Sequence, residues 1–309
     1  MGALLFAFGR APGGARLYRE LTRNVLGTQA THVDKLQRVW PGYLRVWTDP
    51  TCGIVLEGAR TWIHEAGWTP YALLANYLTT GSGGVATNTE ARIVDRYVAR
   101  AVSGVLETPF TDGTAPASRR DTVEALRGEH GAIRLLAAID GAARYVQDPG
   151  ALSLASESCD LCHSGGALEH YRPDRLAAFL AECRRVLLPG GIASHVFDHR
   201  DHLYHADKGR AFLAHLALPD SLYELVYGHP LTYHNRLLPG EIERMFEKAG
   251  FERIAVRRMI LPAQRYVADE ELMQGTEGIA RGRLAPRFQS ATDADLRTAA
   301  AHYLYRKPA

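Results

Sequence analysis

The sequence of 309 residues predicts an α/β fold in which helices cover both faces of a mainly parallel sheet. From residue 60 onward, short apolar segments alternate with longer segments whose apolar residues recur at helical spacing. This alternation is typical of parallel strands joined by helical crossovers. A second indication is the Pro-Gly-Gly run at 189–191, which predicts a tight turn from a helix into the next strand. The chain is long enough for one large α/β domain with an insertion.

The elements follow from the same pattern. Strands are expected at 61–63, 85–87, 144–146, 158–163, 192–197, 252–260 and 299–306. Helices are expected at about 70–79, 90–102, 121–138, 172–187 and 239–249. The helix at 172–187 is amphipathic, because Leu176, Phe179 and Leu180 fall on one side of it. Gly250 is expected to end the helix at 239–249, since glycine readily adopts the left-handed conformation of a helix end.

The amino-terminal part of the chain is predicted to be a helical cap. Residues 15–47 have helical spacing that Pro41-Gly42 is expected to break. The segment 1–55 is too short to bury a core of its own, so a cap on the sheet is favoured over a separate domain. Residues 56–309 are then one Rossmann-like domain, with a helical insertion at 203–236 after strand five.

Composition excludes several classes of protein. The net charge of +2 gives no reason to expect binding to nucleic acid or to an acidic membrane surface. We expect a cytoplasmic protein, because the apolar stretch Ala3–Phe8 is too short for a signal core or a membrane span. Nothing in the sequence indicates an oligomeric state.

The segment Cys159-x-x-Cys162-His163 matches the pattern of covalent haem attachment. Haem attachment requires export, and the segment also coincides with the predicted fourth strand, where alternate side chains are buried. We therefore expect buried thiols and no haem. A metal or redox pair stays open as the alternative.

Three stretches carry a resemblance to a known family. Cys159–Ser164 continues into Ala167-Leu168-Glu169-His170, and an Arg185-Val186-Leu187-Leu188-Pro189-Gly190-Gly191 turn precedes strand five. Gly67-Trp68-Thr69-Pro70 follows strand one, and Asp198, Asp201-His202 and Tyr233–Leu237 lie further along. These motifs resemble class I S-adenosylmethionine-dependent methyltransferases, in particular a subset whose first glycine loop reads EIGTGWTP. The resemblance covers about residues 60–260.

The resemblance implies a Rossmann-like sheet with one antiparallel strand, S-adenosyl-L-methionine as cofactor, and methyl transfer to an oxygen or nitrogen of a small molecule. The cofactor would lie at the carboxyl ends of strands one, two and four. The residues implied to bind it are Glu65, Ala66, Gly67, Trp68, Thr89, Glu90, Asp148, His163 and Ser164.

Two positions depart from the family pattern. Glu65 stands where the family has its first glycine, and Thr89 stands where the family has the acid that holds the ribose hydroxyls. The Glu65 carboxylate would either crowd the cofactor or attract its positive amino or sulfonium group. Glu90 is positioned to replace the ribose acid by a shift of one residue. A degenerate fold that binds a ligand, catalyses another reaction or serves as a partner subunit is the alternative to methyl transfer.

Histidine is abundant, with thirteen residues, and a dense set follows strand five. These side chains suit zinc or non-haem iron, but the resemblance places them at the lip of a substrate pocket, so no metal is expected. A neutral imidazole is well suited to take a proton from an acceptor at neutral pH. We predict His199 and His202, ahead of His163, as the base, oriented by Asp198 or Asp201. A structural polar network is the alternative.

The remaining predicted pocket residues form a polar group with this segment. Arg236 is favoured as a loop residue that pairs with an acid of the sheet edge, with substrate contact as the alternative. The full set of predicted substrate-binding residues is Asp198, Asp201, His205, Tyr233, His234, Asn235 and Arg236.

Overall fold

A computed structural model describes residues 7–24, 30–89, 93–110, 115–146, 148, 150–206, 209, 211–260, 265–267 and 281–309 of the chain. The strands are β1 Thr61–His64, β2 Gly84–Asn88, β3 Gly141–Tyr145, β4 Cys159–Gly165, β5 Leu187–Asp198, β6 Glu252–Ile260, β7 Arg265–Val267 and β8 Ala300–Arg306. The amino-terminal helices are α1 Gly14–Asn24 and α2 Ala30–Trp47. The helices among the strands are α3 Tyr71–Thr80, α4 Val98–Glu107, α5 Ala117–Ala125, α6 Ala132–Ala138, α7 Pro173–Val186, α8 His202–Ala206, α9 Asp220–Tyr227, α10 Pro239–Lys248 and α11 Asp293–Arg297.

The strands form a sheet with the order β3-β2-β1-β4-β5-β8-β6-β7. β1 runs parallel to β2 and to β4, and β2 runs parallel to β3. β6 and β7 are antiparallel, with Arg258 opposite Val267. The predicted mainly parallel, Rossmann-like sheet with helices around it is confirmed. Strand β7 was not predicted.

The chain is organised as two compact units. The described parts of Met1–Val25, Gly165–Leu180 and His195–Leu304 form the first unit, and those of Leu26–Ser164, Ala181–Ser194 and Tyr305–Ala309 form the second. Helix α1 thus belongs to the first unit and α2 to the second. The division into a cap at 1–55, a domain at 56–309 and an insertion at 203–236 stays a prediction.

Each unit has its own apolar core. In the second unit Trp62 and Ile63 of β1 are buried, and so are Leu73, Leu74 and Leu78 of α3. Burial of such side chains stabilises each by roughly 1.5–3 kcal/mol relative to exposure. The first unit contains an apolar cluster of which every member but Ala299 lies outside the predicted strands. It is made of Phe212, Leu213, Leu216, Leu284, Ala285, Phe288, Ala291, Leu296 and Ala299.

Three local predictions differ from the structure. Helix α2 runs through Pro41 instead of breaking there, and its buried residues Trp40, Leu44 and Trp47 lie on both sides of the proline. Packing therefore outweighs the helix-breaking effect of proline, which costs about 3 kcal/mol in an exposed helix. The single helix predicted at 121–138 is two helices, α5 and α6, because Gly128 between them has a φ of +93°.

The predicted turn at 189–191 lies inside strand β5. Gly190 has a φ of +79°, a conformation that favours glycine, and the strand bends there without ending. The Gly190 amide donates a hydrogen bond to the carbonyl of Lys307 at 2.9 Å, and the Lys307 amide donates to Gly191 at 2.9 Å. These two bonds continue the strand pairing through the glycines, so the chain does not reverse direction.

Candidate functional site

In the second unit, the loop after β1 is bonded to the end of β2. The Glu65 amide donates to the Thr87 carbonyl at 2.7 Å, and the Gly67 amide donates to Oδ1 of the buried Asn88 at 2.8 Å. Gly67 has a φ of +84°, which a residue with a Cβ adopts only with strain. The loop leads directly into α3, which begins at Tyr71. The sequence therefore places a tight, bonded turn at the carboxyl ends of two neighbouring parallel strands.

Glu65 and Thr89, the two departures from the family pattern, contact each other. Oε1 of Glu65 accepts a hydrogen bond from the Thr89 amide at 3.0 Å and a second one from the Thr89 hydroxyl. Glu65 has a φ of +55°, so it holds the left-handed conformation for which a glycine is usual. The carboxylate that replaces the first glycine thus reaches the end of β2, where the family has its acid. Glu90 lies outside the described residues.

His163 is a buried residue near the end of β4, and aromatic side chains of helix α2 surround its ring. Its ring centroid lies 5.1 Å from that of Trp47, 5.5 Å from Trp40 and 6.4 Å from Tyr43. Burial lowers the pKa of His163 to about 3, so the ring is neutral at physiological pH. Ser164, the next residue, is also buried. A base with so low a pKa accepts a proton poorly, which makes His163 the weakest of the three predicted bases.

Buried polar atoms at this edge of the sheet lack partners among the described residues. They are Nε2 of His163 and Oγ1 of Thr69, a residue in the loop after β1. An unpaired buried polar group costs about 1–3 kcal/mol, and a polar ligand would satisfy it. Together with the Glu65 carboxylate, these atoms fit a ligand that has both hydrogen-bonding and cationic groups, as S-adenosylmethionine does.

The other predicted cofactor residues differ in exposure. Ala66 is buried, and the carbonyl of the half-buried Trp68 accepts a hydrogen bond from the Val94 amide at 3.0 Å. Asp148 is exposed, and its carboxylate accepts from the Gly150 amide at 2.9 Å. Their roles stay predictions.

The first unit contains a row of histidine rings. The ring centroid of His170 lies 4.7 Å from that of His202, His202 lies 4.5 Å from His234, and His234 lies 5.1 Å from His215. His170 ends the short 3₁₀ turn Leu168–His170, and His202 begins α8. The sequence predicted His202 and His234 as site residues but did not select His170 or His215. His170 could have been selected because it lies in the loop that follows the predicted strand at 158–163.

His199 is held on both sides. Its Nε2 accepts a hydrogen bond from the hydroxyl of the buried Tyr303 at 2.9 Å, and Nδ1 donates to the Leu237 carbonyl at 3.3 Å. Burial, followed by the nearby His234, lowers the pKa of His199 to about 4. This arrangement suits a structural role in the core of the first unit more than proton transfer with a substrate.

The two aspartates that were expected to orient the base bind other groups. Asp198 pairs with Arg200 through two hydrogen bonds, at 2.8 and 2.7 Å. The buried Asp201 accepts from the Tyr227 hydroxyl at 2.9 and 3.0 Å and from the Leu203 amide at 2.9 Å. Glu169 supplies the carboxylate near His202. One oxygen of Glu169 and one ring nitrogen each of His170 and His202 lie within 4.8 Å of one another.

Side chains of the segment Tyr233–Arg236 hold this loop in place through hydrogen bonds and an ion pair. Nδ2 of Asn235 donates to two carbonyls of the 168–171 turn, at 3.1 and 3.0 Å. Arg236 donates to the Leu218 carbonyl at 2.6 Å, pairs with Asp220, and lies 4.0 Å over the Tyr223 ring. These contacts favour the loop role predicted for Arg236. The side chain of His205 lies outside the described residues.

Comparison with known proteins agrees with this architecture. Residues 124–194 match the family model of a methyltransferase domain. The matched region includes β3, β4, α7 and most of β5, and the family model calls it a methyltransferase domain. No curated protein matches the sequence.

Solved structures resemble this chain at low identity. An S-adenosylmethionine-dependent methyltransferase from Mesorhizobium loti is 15% identical, with a TM-score of 0.45, and the match covers 87% of this chain and 97% of that one. A phosphoethanolamine N-methyltransferase from Haemonchus contortus, solved with S-adenosylhomocysteine, is 14% identical, with a TM-score of 0.48, and the match covers 94% of this chain and 59% of that one. A Haloferax volcanii methyltransferase in complex with the Trm112 activator is 15% identical, with a TM-score of 0.44, and the match covers 91% of this chain and 97% of that one. Within the described residues, no helix is both long and apolar enough to cross a membrane.

Proposed function

We propose that this methyltransferase transfers the methyl group of S-adenosylmethionine to an oxygen or nitrogen atom of a small molecule. When bound, the cofactor supplies an electrophilic methyl group on a positively charged sulfur. The observation that carries the proposal is the contact between Glu65 and Thr89 at the carboxyl ends of β1 and β2, in a chain whose residues 124–194 match the model of a methyltransferase domain. This contact supplies a carboxylate at the strand end where the resemblance requires one.

The second unit is assigned the cofactor. Gly67, without a Cβ, allows a ligand to approach the backbone of the loop. Glu65 presents its carboxylate beside Thr89, where it accepts hydrogen bonds from hydroxyl groups or attracts a cationic group. Nε2 of His163 and Oγ1 of Thr69 supply further hydrogen-bonding capacity. Both atoms are buried without a partner in the described chain, so a bound ligand could form hydrogen bonds with them.

We assign binding of the methyl acceptor, and removal of its proton, to the first unit. His202 is half-buried and His170 is exposed, whereas His199 and His163 are enclosed by protein. A group that exchanges a proton with a substrate must be reachable, so the Glu169, His170 and His202 group is favoured over the two enclosed histidines. General acid–base assistance of this kind contributes about 10²–10⁴-fold to rate.

One feature supports a second candidate, a fold that binds a ligand but does not transfer methyl. Glu65 introduces a side chain and a negative charge into a loop that is otherwise made for close backbone approach. If the carboxylate fills the place of the cofactor, binding is lost and another function is required.

Ligand-induced stabilisation distinguishes the two candidates. S-adenosylmethionine and S-adenosylhomocysteine should each raise the melting temperature, because a ligand that binds only the folded state stabilises it. Gly67→Val should abolish the effect while unfolding stays cooperative. Gly58→Val is the matched control, since Gly58 has a similar φ of +72°, is exposed, and would place an added Cβ more than 4 Å from any neighbouring atom. No shift with either compound at millimolar concentration, or an equal shift in Gly67→Val, would contradict the assignment.

A further inference from the structure

Three side chains that can bind a metal, one glutamate and two histidines, lie close together in the first unit. An oxygen of the Glu169 carboxylate and ring nitrogens of His170 and His202 all lie within 4.8 Å of one another. Glu169 and His170 come from the 3₁₀ turn after β4, and His202 comes from the start of α8. Ligand atoms about 2.0–2.2 Å from a tetrahedral ion lie roughly 3.3–3.6 Å from one another, so 4.8 Å is an upper limit and the three side chains must close around the ion. Rotation about side-chain bonds brings them to that spacing.

The orientation of His170 favours metal binding. Its Nδ1 lies 2.8 Å from the carbonyl oxygen of Tyr233, and because a carbonyl only accepts, Nδ1 carries the proton. Nε2 is then the nitrogen with the lone pair. A histidine ligand whose other nitrogen donates to a backbone carbonyl is the usual arrangement around protein-bound metals, because it fixes both the tautomer and the ring.

A fourth histidine stands next to this group. His234 lies 4.5 Å from His202 between ring centroids, and its Nε2 donates to the Asp198 carbonyl at 2.7 Å. Its Nδ1 is buried and has no partner in the described part of the chain. Because Nε2 carries the proton that it donates to the carbonyl, Nδ1 is the nitrogen with the lone pair.

We propose that Glu169, His170 and His202 bind one divalent transition-metal ion of the zinc and cobalt class, with His234 as a further ligand within reach. Two or three imidazoles and one carboxylate suit these ions, whereas magnesium and calcium prefer oxygen ligands throughout. His170 is exposed and His202 is half-buried, so an ion reaches the site from solvent. The sequence favoured no metal because the two groups considered, the Cys159–Cys162 pair and the run after strand five, had other expected roles. Two of these three ligands lie before α7 and belong to neither group.

With the ion bound, His170 and His202 would act as its ligands and not as bases, because a ring nitrogen that binds a metal has no lone pair left to take a proton. A bound divalent cation lowers the pKa of a coordinated hydroxyl or water, so an acceptor oxygen or nitrogen held there loses its proton more easily. This role of the ion rests on the proposed function, but the binding of the ion does not.

The test is a metal titration of untagged protein that has been freed of metal with a chelator. Zinc is titrated by calorimetry, and cobalt is titrated by its visible absorption, which reports nitrogen and oxygen coordination. One equivalent should bind. His170→Gln and His202→Gln should each weaken binding by ~10-fold or more, since even changes outside the ligand set cost about 10–100-fold. His130→Gln, which alters an exposed histidine of the second unit, should bind as the unaltered protein does.

Two outcomes would overturn the metal site: no binding of zinc or cobalt by the unaltered protein, or equal binding by His170→Gln, His202→Gln and His130→Gln. His170 is exposed, so His170→Gln is expected to fold, and circular dichroism without metal checks each variant. Binding of S-adenosylhomocysteine is measured separately on the metal-free protein. A failure of the metal site leaves that binding intact, and a failure of the proposed function leaves the metal titration unchanged.

Discussion

Glu65 occupies a backbone conformation that side chains rarely adopt. A left-handed conformation costs a residue with a Cβ roughly 1–2 kcal/mol. The two hydrogen bonds from Thr89 to the Glu65 carboxylate offset this cost, since a hydrogen bond to a charged group contributes about 1.5–3 kcal/mol. Strain of this type persists where the surroundings enforce it, and such places are often binding sites. The two departures in sequence are therefore one compensated change.

This compensation makes a prediction about pairs of substitutions. Glu65→Gly should relieve the strained backbone and yet lower the affinity for S-adenosylhomocysteine by about 10- to 100-fold, the equivalent of one hydrogen bond to a charged group. Adding Thr89→Asp should restore most of the affinity, because the carboxylate returns to the same strand end. Calorimetric titration of the single and double variants measures this. Tighter binding by Glu65→Gly alone would show that the carboxylate obstructs the ligand.

His199 and His202 should respond in opposite ways to the same substitution. His199→Gln removes a buried bond to Tyr303 and should lower the free energy of unfolding by about 1–3 kcal/mol, with turnover per folded molecule preserved. His202→Gln should lower single-turnover methyl transfer by ~10²–10⁴-fold with little change in melting temperature. Urea denaturation and a single-turnover assay on both variants separate the two roles. Slowed transfer in His199→Gln, or unaltered transfer in His202→Gln, would reverse the assignment.

At the scale of elements, apolar runs predicted the sheet well. Strand β6 lies where the sequence placed it, and β4 differs only at its ends. Strand β7 has three residues, too few to show a period, and its pairing with β6 depends on contacts that a local pattern does not contain. The uninterrupted helix α2 has a similar origin, since the burial of its aromatic face is a tertiary effect that local propensity does not include.

The candidate site was predicted in part for the same reason. His202 follows a strand directly, so the general rule for the carboxyl ends of strands found it. Glu169 and His170 lie in a different turn, and only the folded chain brings them to His202. Asp198 and Asp201 were expected to orient the base because they are close in sequence, but Arg200 and Tyr227 bind them. Proximity along the chain therefore pointed to one histidine of the candidate group but not to the carboxylate beside it.

At the scale of the whole molecule, the predicted chemistry is divided between the two units. The residues assigned to the cofactor, among them Glu65 and Thr89, belong to the second unit. The histidine row, from His170 to His215, belongs to the first. Each group can therefore be tested by its own binding reaction. A property that both units share is the burial of neutral histidines.

These histidines predict how stability depends on pH. Burial lowers the pKa of His163 to about 3 and those of His199 and His234 to about 4. An unfolded chain has ordinary imidazoles with a pKa of about 6.5, so below that pH the unfolded state takes up protons that the folded state does not. Stability is therefore fully present above pH ~6.5 and decreases as the pH falls toward 4. Each histidine contributes up to about 1.4 kcal/mol per pH unit.

Urea denaturation at intervals between pH 7 and pH 5 measures this dependence. The window lies above the pKa range of the carboxylates, such as Glu182, whose pKa the neighbouring Arg185 lowers, so histidines dominate the slope. The free energy of unfolding should fall steadily toward pH 5, and His199→Gln should give a shallower slope because one proton-binding site is gone from the unfolded chain. His130→Gln removes an exposed histidine and should leave the slope unchanged. A stability that stays level or rises between pH 7 and pH 5 would mean that these imidazoles are not buried in their neutral form.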